Sequence, residues 1–252
     1  METPEQAAQR IFGKRSAFYT KSAVHKDPEV LKRIVELATP NSSSSVLDVA
    51  TGSGHTAASL APHVAHVVCV DITIEMLAEA KKLTLERRIA NVSFSLANAH
   101  ALPFQDGSFD IVSCRRAAHH FSDITRALRE MRRVLRAGGI LVLDDRSVPE
   151  DDFVDSCMNE LDRLHDSSHV REYRPSQLRR LLEASGFMVD VVAPYSKHLP
   201  LTSLTVDVSR TNVEKIRALV NSLTGEQRNA MNVIELNGET YLNHWYVMIS
   251  AH

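Results

Sequence analysis

Cysteine is scarce in this 252-residue chain, neither sign of charge dominates, and no long apolar run occurs. Each deficit argues against a class of protein. The three cysteines, Cys69, Cys114 and Cys157, are odd in number, far apart and without C-x-x-C spacing, which speaks against a disulfide framework or a zinc knuckle. A reducing, cytoplasmic setting is expected. The 29 Lys+Arg stand against 31 Asp+Glu, a formal net charge of −2, which does not suit a dedicated nucleic-acid binder. The longest apolar runs are strand-sized, such as Ile140 to Leu143, and Met1-Glu2-Thr3-Pro4-Glu5 is not a basic segment leading into an apolar core. No membrane span or secretion signal is therefore expected. Internal repeats are lacking, and the one low-complexity tract is Ser42–Ser45. With 44% hydrophobic residues the chain can still bury a sizeable core.

What is present alternates between two periods. Strand-like runs occur at 45–49, 66–71, 92–97, 109–114 and 139–143, with helical patterns at 56–63, 74–88 and 124–136 between most of them. Such strand–helix–strand units, with right-handed crossovers, give a parallel doubly wound sheet of five strands. Asp27 before Pro28 marks the start of a helix over 28–37, and Gly138-Gly139 after the basic turn of the 124–136 helix reads as its stop. Beyond Leu143, Phe153, Val154, Cys157, Met158, Leu161 and Leu164 recur at helical spacing, so a helix is inserted after the fifth strand. A helix over 176–185 stopped by Gly186, a sixth strand over 187–192, a helix over 213–223 and a last strand over 241–250 complete the pattern. Ile11, Phe12, Phe18 and Tyr19 dot the polar first 27 residues, as in an amphipathic arm that folds over something.

Strand one runs into Asp48-Val49-Ala50-Thr51-Gly52-Ser53-Gly54-His55-Thr56-Ala57, a glycine-bearing turn that opens a helix at the carboxyl edge of the sheet. Backbone amides there can approach a ligand closely. Gly52-x-Gly54-x-x-Ala57 satisfies the dinucleotide fingerprint, and Asp71 closes strand two about 20 residues on, where a ribose-binding acid belongs. The turn alone leaves NAD and other adenosyl cofactors open. Asp48, inside the end of strand one, tilts the choice toward a cationic ligand over a pyrophosphate.

Together with Val46–Gly54 and Asp71, the segment Asn98–Asp110 with its Leu102-Pro103-Phe104-x-Asp106-Gly107-Ser108-Phe109-Asp110 core and Leu135–Gly139 entering strand five resemble the class I S-adenosylmethionine (SAM)-dependent methyltransferases. Within that family the chain is most similar to ubiquinone/menaquinone-biosynthesis C-methyltransferase relatives with an Ala117-Ala118-His119-His120-Phe121 segment after strand four and a His169–Tyr173 segment before a later helix. The resemblance implies a Rossmann-like, doubly wound, seven-stranded, mostly parallel α/β sheet with an antiparallel last strand and a lid insertion after strand five. The matching segments lie within roughly residues 30–145, and the resemblance implies one domain over 1–252, with an arm at 1–27, a cofactor core at 28–147, a lid at 148–174 and C-terminal elements at 175–252.

By the same resemblance, Asp48, Ala50, Gly52 and Gly54 line the methionine part of SAM, and Asp71 accepts hydrogen bonds from the ribose hydroxyls. Ile72 flanks the adenine, and Asn98 with Ala99 takes the place of the family's usual adenine-binding Asp. Arg115 faces the cofactor. Ala50 and Asn98 depart from the family pattern, where glycine and aspartate are common.

Methyl transfer from a sulfonium needs alignment and exclusion of water, and a general base only where the nucleophile arrives protonated. His119 and His120 are the best-placed bases, after strand four at the cofactor edge; satisfying backbone groups before the next helix would explain the pair equally. Further candidates are His165, His169, Tyr19 and Tyr173, and Tyr19, His169, Arg171 and Tyr173 are the substrate-facing set. His165 and His169 have metal-pair spacing, but Asp166-Ser167-Ser168 breaks the helix and no third ligand is evident, so no metal is expected. Arg129, Arg132, Arg133 and Arg136 read as a solvated helix end.

The function expected is methyl transfer from SAM to a C, O or N atom of a small molecule, yielding S-adenosylhomocysteine. An NAD(P)-dependent oxidoreductase, which would lack an obvious Tyr-x-x-x-Lys pair, and a SAM-binding regulatory module without turnover are the alternatives. RNA methylation is disfavoured by the charge.

Overall fold

The computed structural model describes residues 2–21 and 25–252, with the side chains at 18, 19 and 21 outside the described residues. The chain runs α1 (Pro4–Lys21), α2 (Pro28–Ala38), β1 (Ser45–Val49), α3 (His55–Leu60), β2 (His66–Asp71), α4 (Ile74–Glu86), β3 (Val92–Leu96), β4 (Phe109–Arg115), α5 (Ile124–Val134) and β5 (Leu135–Ser147). It continues through α6 (Asp152–His165), α7 (Pro175–Ala184), β6 (Val189–Pro200), α8 (Arg210–Asn221), α9 (Gly225–Ala230), β7 (Ile234–Leu236) and β8 (Glu239–Ala251).

The sheet order is β3-β2-β1-β4-β5-β8-β6, with the short β7 forming a hairpin with β8. Strands β1 to β5 pair in parallel, and β8 lies antiparallel between β5 and β6. The order reverses beside β1, between β2 and β4, so the loops after β1 and β4 open a crevice at the carboxyl edge of the sheet. The seven expected strands are all there, and β7 adds an eighth.

Local sequence explains the element ends. Asp27 caps α2 by accepting hydrogen bonds from the amides of Glu29 and Val30, with Pro28 at the first helical position. The expected glycine stop of α5 is corrected: the helix ends at Val134, and Leu135 is already extended and paired with Phe109. Gly138 instead takes a left-handed φ of +71° within β5, and a Cβ on Gly139 would lie 2.8 Å from the Asp110 carbonyl oxygen. The two glycines carry the strand across an irregularity in its pairing with β4, between Phe109 and Ile111.

Two apolar clusters cover the faces of the sheet, one under α5 and α7, the other under α2 and α3. A third joins α6, α8 and the outer part of β8 through Met158, Leu161, Ile216, Val220 and Leu242, all buried. The apolar stripe of the inserted helix is therefore core, and only its other edge reaches a cavity. The basic residues of α5 are also tied down: Arg133 bonds Glu130 and the carbonyls of Leu102 and Phe104, and Arg132 bonds the Gly186 carbonyl.

Candidate functional site

The turn after β1 rests on backbone that most residues avoid. Ala50, Gly52 and Gly54 have φ of 52°, 54° and 81°. At Gly54 a Cβ would come 2.9 Å from the Ala80 Cβ, so the turn packs on α4 only without a side chain. Asp71, at the end of β2, locks the turn from the neighbouring strand: its Oδ2 accepts the Gly52 amide at 2.9 Å and its Oδ1 the Thr73 amide at 2.9 Å. A carboxylate offers about four lone-pair positions, so roughly two remain for a ligand.

The turn forms one wall of a cavity. Asp48, Ala50, Gly52, Asp71, Ile72, Asn98, Ala99, Arg115 and His120 all line it, and Gly54 stands just behind, at the start of α3. The N-terminal helix contributes Glu5, Ala8 and Phe12, so the arm does fold over this edge. Glu5 also holds the Ser122 hydroxyl, which pins the start of α1 beside the loop after β4. Asp48 is buried, with Thr51 and Ser113 hydroxyls donating to its two oxygens at 2.6 Å. Burial raises the pKa of Asp48, and likewise that of Asp71.

Two further side chains shape the cavity, the expected Arg115 and the unforeseen His100. Arg115 donates to the Thr56 hydroxyl and the His25 carbonyl, both at 2.9 Å, while its Nη1 is buried with no partner among the described residues. His100, absent from the sequence-based candidates, lines the cavity: its amide donates to Asn98 Oδ1 at 2.9 Å, with its ring Nδ1 also 2.9 Å from that oxygen. The amide oxygen of Asn98 is thus engaged, leaving its nitrogen to donate. A polar residue two positions from Asn98 was the available signal.

A second cavity adjoins the first and shares Phe12, His25, Arg116 and His120 with it. His119, Arg146, Asp162, His165, Asp166, His169 and His244 also line it, so the polar edge of the inserted segment faces this space. Arg116 sits at the border with a left-handed φ of 55°, its guanidinium 3.8 Å from the Tyr246 ring centre and 3.3 Å from Asp144.

The two adjacent histidines differ. His119 is buried, its Nδ1 2.5 Å from Asp145 Oδ1, and its own amide donates to Asp145 Oδ2 at 2.9 Å. Burial, then the neighbouring His120 and Arg146, hold the His119 pKa well below its ordinary value. Burial pushes that of Asp145 up to about 6. The imidazole is therefore neutral, with Nδ1–H toward the carboxylate and Nε2 as acceptor. His120 packs edge-on against Phe12, and its Nδ1 faces the Ser168 carbonyl at 3.1 Å. The carbonyl of His119 receives the amides of Val170 and Arg171, stitching the loop after β4 to the inserted segment.

The remaining candidates are dispersed. His169 reaches the second cavity and bonds Asn159 Oδ1 at 3.0 Å. Arg171 and Tyr173 are not brought to either cavity; they border a separate depression beside α7, with Arg171 bound to Asp155 and the Tyr173 backbone bridged to Ser147. The side chain of Tyr19 lies outside the described residues. His165 ends α6, where the helix was expected to break. No cluster of three metal-ligating side chains occurs among the described residues, and no helix of the described chain is long and apolar enough to cross a membrane.

The chain is similar to several known proteins. A family model described as a methyltransferase domain matches residues 47–143. An uncharacterised methyltransferase of Bacillus subtilis, YcgJ, is 40% identical over 174 residues, 69% of either chain. The crystal structure of that protein aligns at a TM-score of 0.82 and 32% identity, covering 88% of this chain and 96% of the other. A putative methyltransferase from Bacillus halodurans aligns at 0.84 with 29% identity, over 88% of this chain and 97% of that one. A demethylmenaquinone methyltransferase of Thermotoga maritima is 40% identical over 120 residues, 46% of this chain and 50% of its own length.

Proposed function

The chain belongs to the methyltransferase family whose domain it matches, and from that premise we propose that it moves a methyl group from SAM to a small-molecule acceptor seated in the second cavity. The observation that carries this reading is the junction of the two cavities at His120 and Arg116, which lets two ligands meet end to end.

The residues of the first cavity fit SAM. The buried, unpartnered Nη1 of Arg115 suits the methionine carboxylate, and the Asp48 carboxyl lies on the same wall for the ammonium. Asp71 has lone pairs left for the ribose hydroxyls, and the Asn98 amide nitrogen can donate to an adenine ring nitrogen. A pyrophosphate would instead meet the buried carboxyl group of Asp48, which disfavours a dinucleotide.

SAM supplies a methyl group on a sulfonium, a good leaving group for in-line displacement. The protein's part is to align, to exclude water and to take a proton where the acceptor carries one. Glu5, Ala8 and Phe12 of α1 cover the first cavity, and the 148–174 segment walls the second. His119, oriented by Asp145, is the proton acceptor: its Nδ1–H is fixed by the carboxylate and its Nε2 lone pair is free. His120 stands at the junction of the two cavities and would position the acceptor against the methyl group.

Calorimetric titration with SAM, S-adenosylhomocysteine, NAD and NADP tests the reading. Micromolar binding of the first two and none of the nicotinamides is expected. The reverse pattern would return the glycine turn to its dinucleotide interpretation.

A further inference from the structure

The wall of the second cavity is matched in charge almost everywhere. Arg15 faces Asp207 at 3.6 Å, Arg116 faces Asp144 at 3.3 Å, and Arg146 holds Asp162 at 2.6 Å. Glu172 also receives Arg146, and burial raises its pKa well above the usual carboxylate range. Asp166 stands among hydrogen bonds from the Ser168 amide and hydroxyl. No surplus positive charge awaits an anion here, and a buried, unmatched carboxylate would be costly.

Two neutral groups break the pattern. His244, on β8, is only 1% exposed, and its Nδ1 lies 3.2 Å from Arg146 Nη2. A guanidinium only donates, so Nδ1 accepts and the ring hydrogen sits on Nε2. That Nε2–H is buried with no partner among the described residues, and so is Ser203 Oγ, in the turn after β6. Both residues line the second cavity, where Leu199, Leu204 and Val206 supply apolar surface around them. Buried donors without acceptors are rare in folded proteins, and an oxygen acceptor entering the cavity, on a ligand or a bound water, would satisfy these. The bond from Arg146 polarises the ring and strengthens Nε2–H as a donor.

We propose that the acceptor presents a neutral carbonyl oxygen, as in a ketone, ester or amide, to His244 Nε2 and Ser203 Oγ. This rests on the second cavity being the acceptor chamber and narrows what that chamber takes. A hydrocarbon of the same shape would leave both donors orphaned, and a carboxylate would meet Asp162 and Asp166 with no free cation to offset them.

The test uses the full chain with S-adenosylhomocysteine and three probes of similar size: acetophenone, benzoate and ethylbenzene. Affinities come from titrations followed through the histidine ring resonances in nitrogen-15 spectra. Acetophenone is expected to bind at least about 5-fold more tightly than either other probe and to shift the His244 Nε2–H signal. Ser203→Ala and His244→Phe should each lower ketone affinity by roughly 3- to 10-fold while leaving ethylbenzene affinity unchanged. Equal binding of ketone and hydrocarbon, tightest binding of benzoate, or a ketone preference intact in both variants would overturn the proposal. Should His244→Phe fail to fold, Ser203→Ala alone makes the comparison. A ketone preference in a protein that does not bind S-adenosylhomocysteine would sink the methyl-transfer reading and leave this donor pair standing. Binding of S-adenosylhomocysteine without ketone preference would sink this inference alone.

Discussion

His119 Nδ1 and Asp145 Oδ1 lie 2.5 Å apart in buried surroundings, joined from the loop after β4 to the body of β5. The pair fixes the imidazole tautomer and leaves Nε2 as the ring nitrogen with a lone pair.

Asp145→Asn should therefore disturb the ring without disturbing the cofactor cavity. The expected result is a drop in turnover of about 10²-fold or more on an acceptor that needs deprotonation, with SAM affinity nearly unchanged. Nitrogen-15 spectra of the His119 ring should show the single tautomer replaced by a mixture. Equal loss of SAM binding and stability would make the pair structural.

Asp71→Ala should weaken SAM binding by about 1.5–3 kcal/mol, the range for hydrogen bonds to a charged group. Calorimetry on a variant shown by melting to be folded measures it. Unchanged affinity would confine Asp71 to its bonds with the Gly52 and Thr73 amides.

Arg115→Met separates the carboxylate contact from the rest of the cofactor. Affinity for SAM should fall by about 1.5–3 kcal/mol while affinity for decarboxylated SAM changes little. A similar loss for both ligands would show that Arg115 acts through its bonds to Thr56 and the His25 carbonyl.

Gly54→Ala should destabilise the fold by about 1–3 kcal/mol in denaturant titration, since the new Cβ meets Ala80 at 2.9 Å on left-handed backbone. The same change at Gly52, where no atom lies within 4 Å, carries only the backbone cost.

His244 links stability to pH. Burial lowers its pKa to about 3, so the native state stays unprotonated while the unfolded chain takes up a proton below about pH 6.5. Its contribution is therefore present above that pH and is lost as the pH falls toward 3. Between pH 6.5 and 5, the stability of His244→Phe should fall less steeply than that of the native sequence, by about 1 kcal/mol per pH unit on average. Parallel curves in urea titrations across that range would mean that His244 is charged when folded.

The doubly wound sheet and the cofactor turn were legible because their signals are local. Val-rich runs spaced by helical periods place β1 to β5, and Asp48, Gly52, Gly54 and Asp71 fall within 24 residues of sequence around one turn. The end of α5 was misplaced because Gly138-Gly139 has the composition of a helix stop. What ends the helix is the pairing of Leu135 with Phe109, a contact across 26 positions. His169, Arg171 and Tyr173 lie in one stretch of sequence, yet the parallel bridge from Ser147 to Tyr173 carries the last of them toward α7, and only His169 faces the second cavity.

The sequence by itself determined the sheet, the glycine turn and the acids beside it, since each depends on neighbours along a strand or within one crossover. The tertiary structure decided the chamber beside it. That space is assembled from α1, the loop after β4, β5, α6, the turn after β6, and β8, whose residues are brought together by packing over separations of up to 234 positions, between Phe12 and Tyr246. Side chains such as His244 and Ser203 bear no local mark of a site. They acquire one only when burial removes water from their polar atoms and leaves a donor facing a cavity.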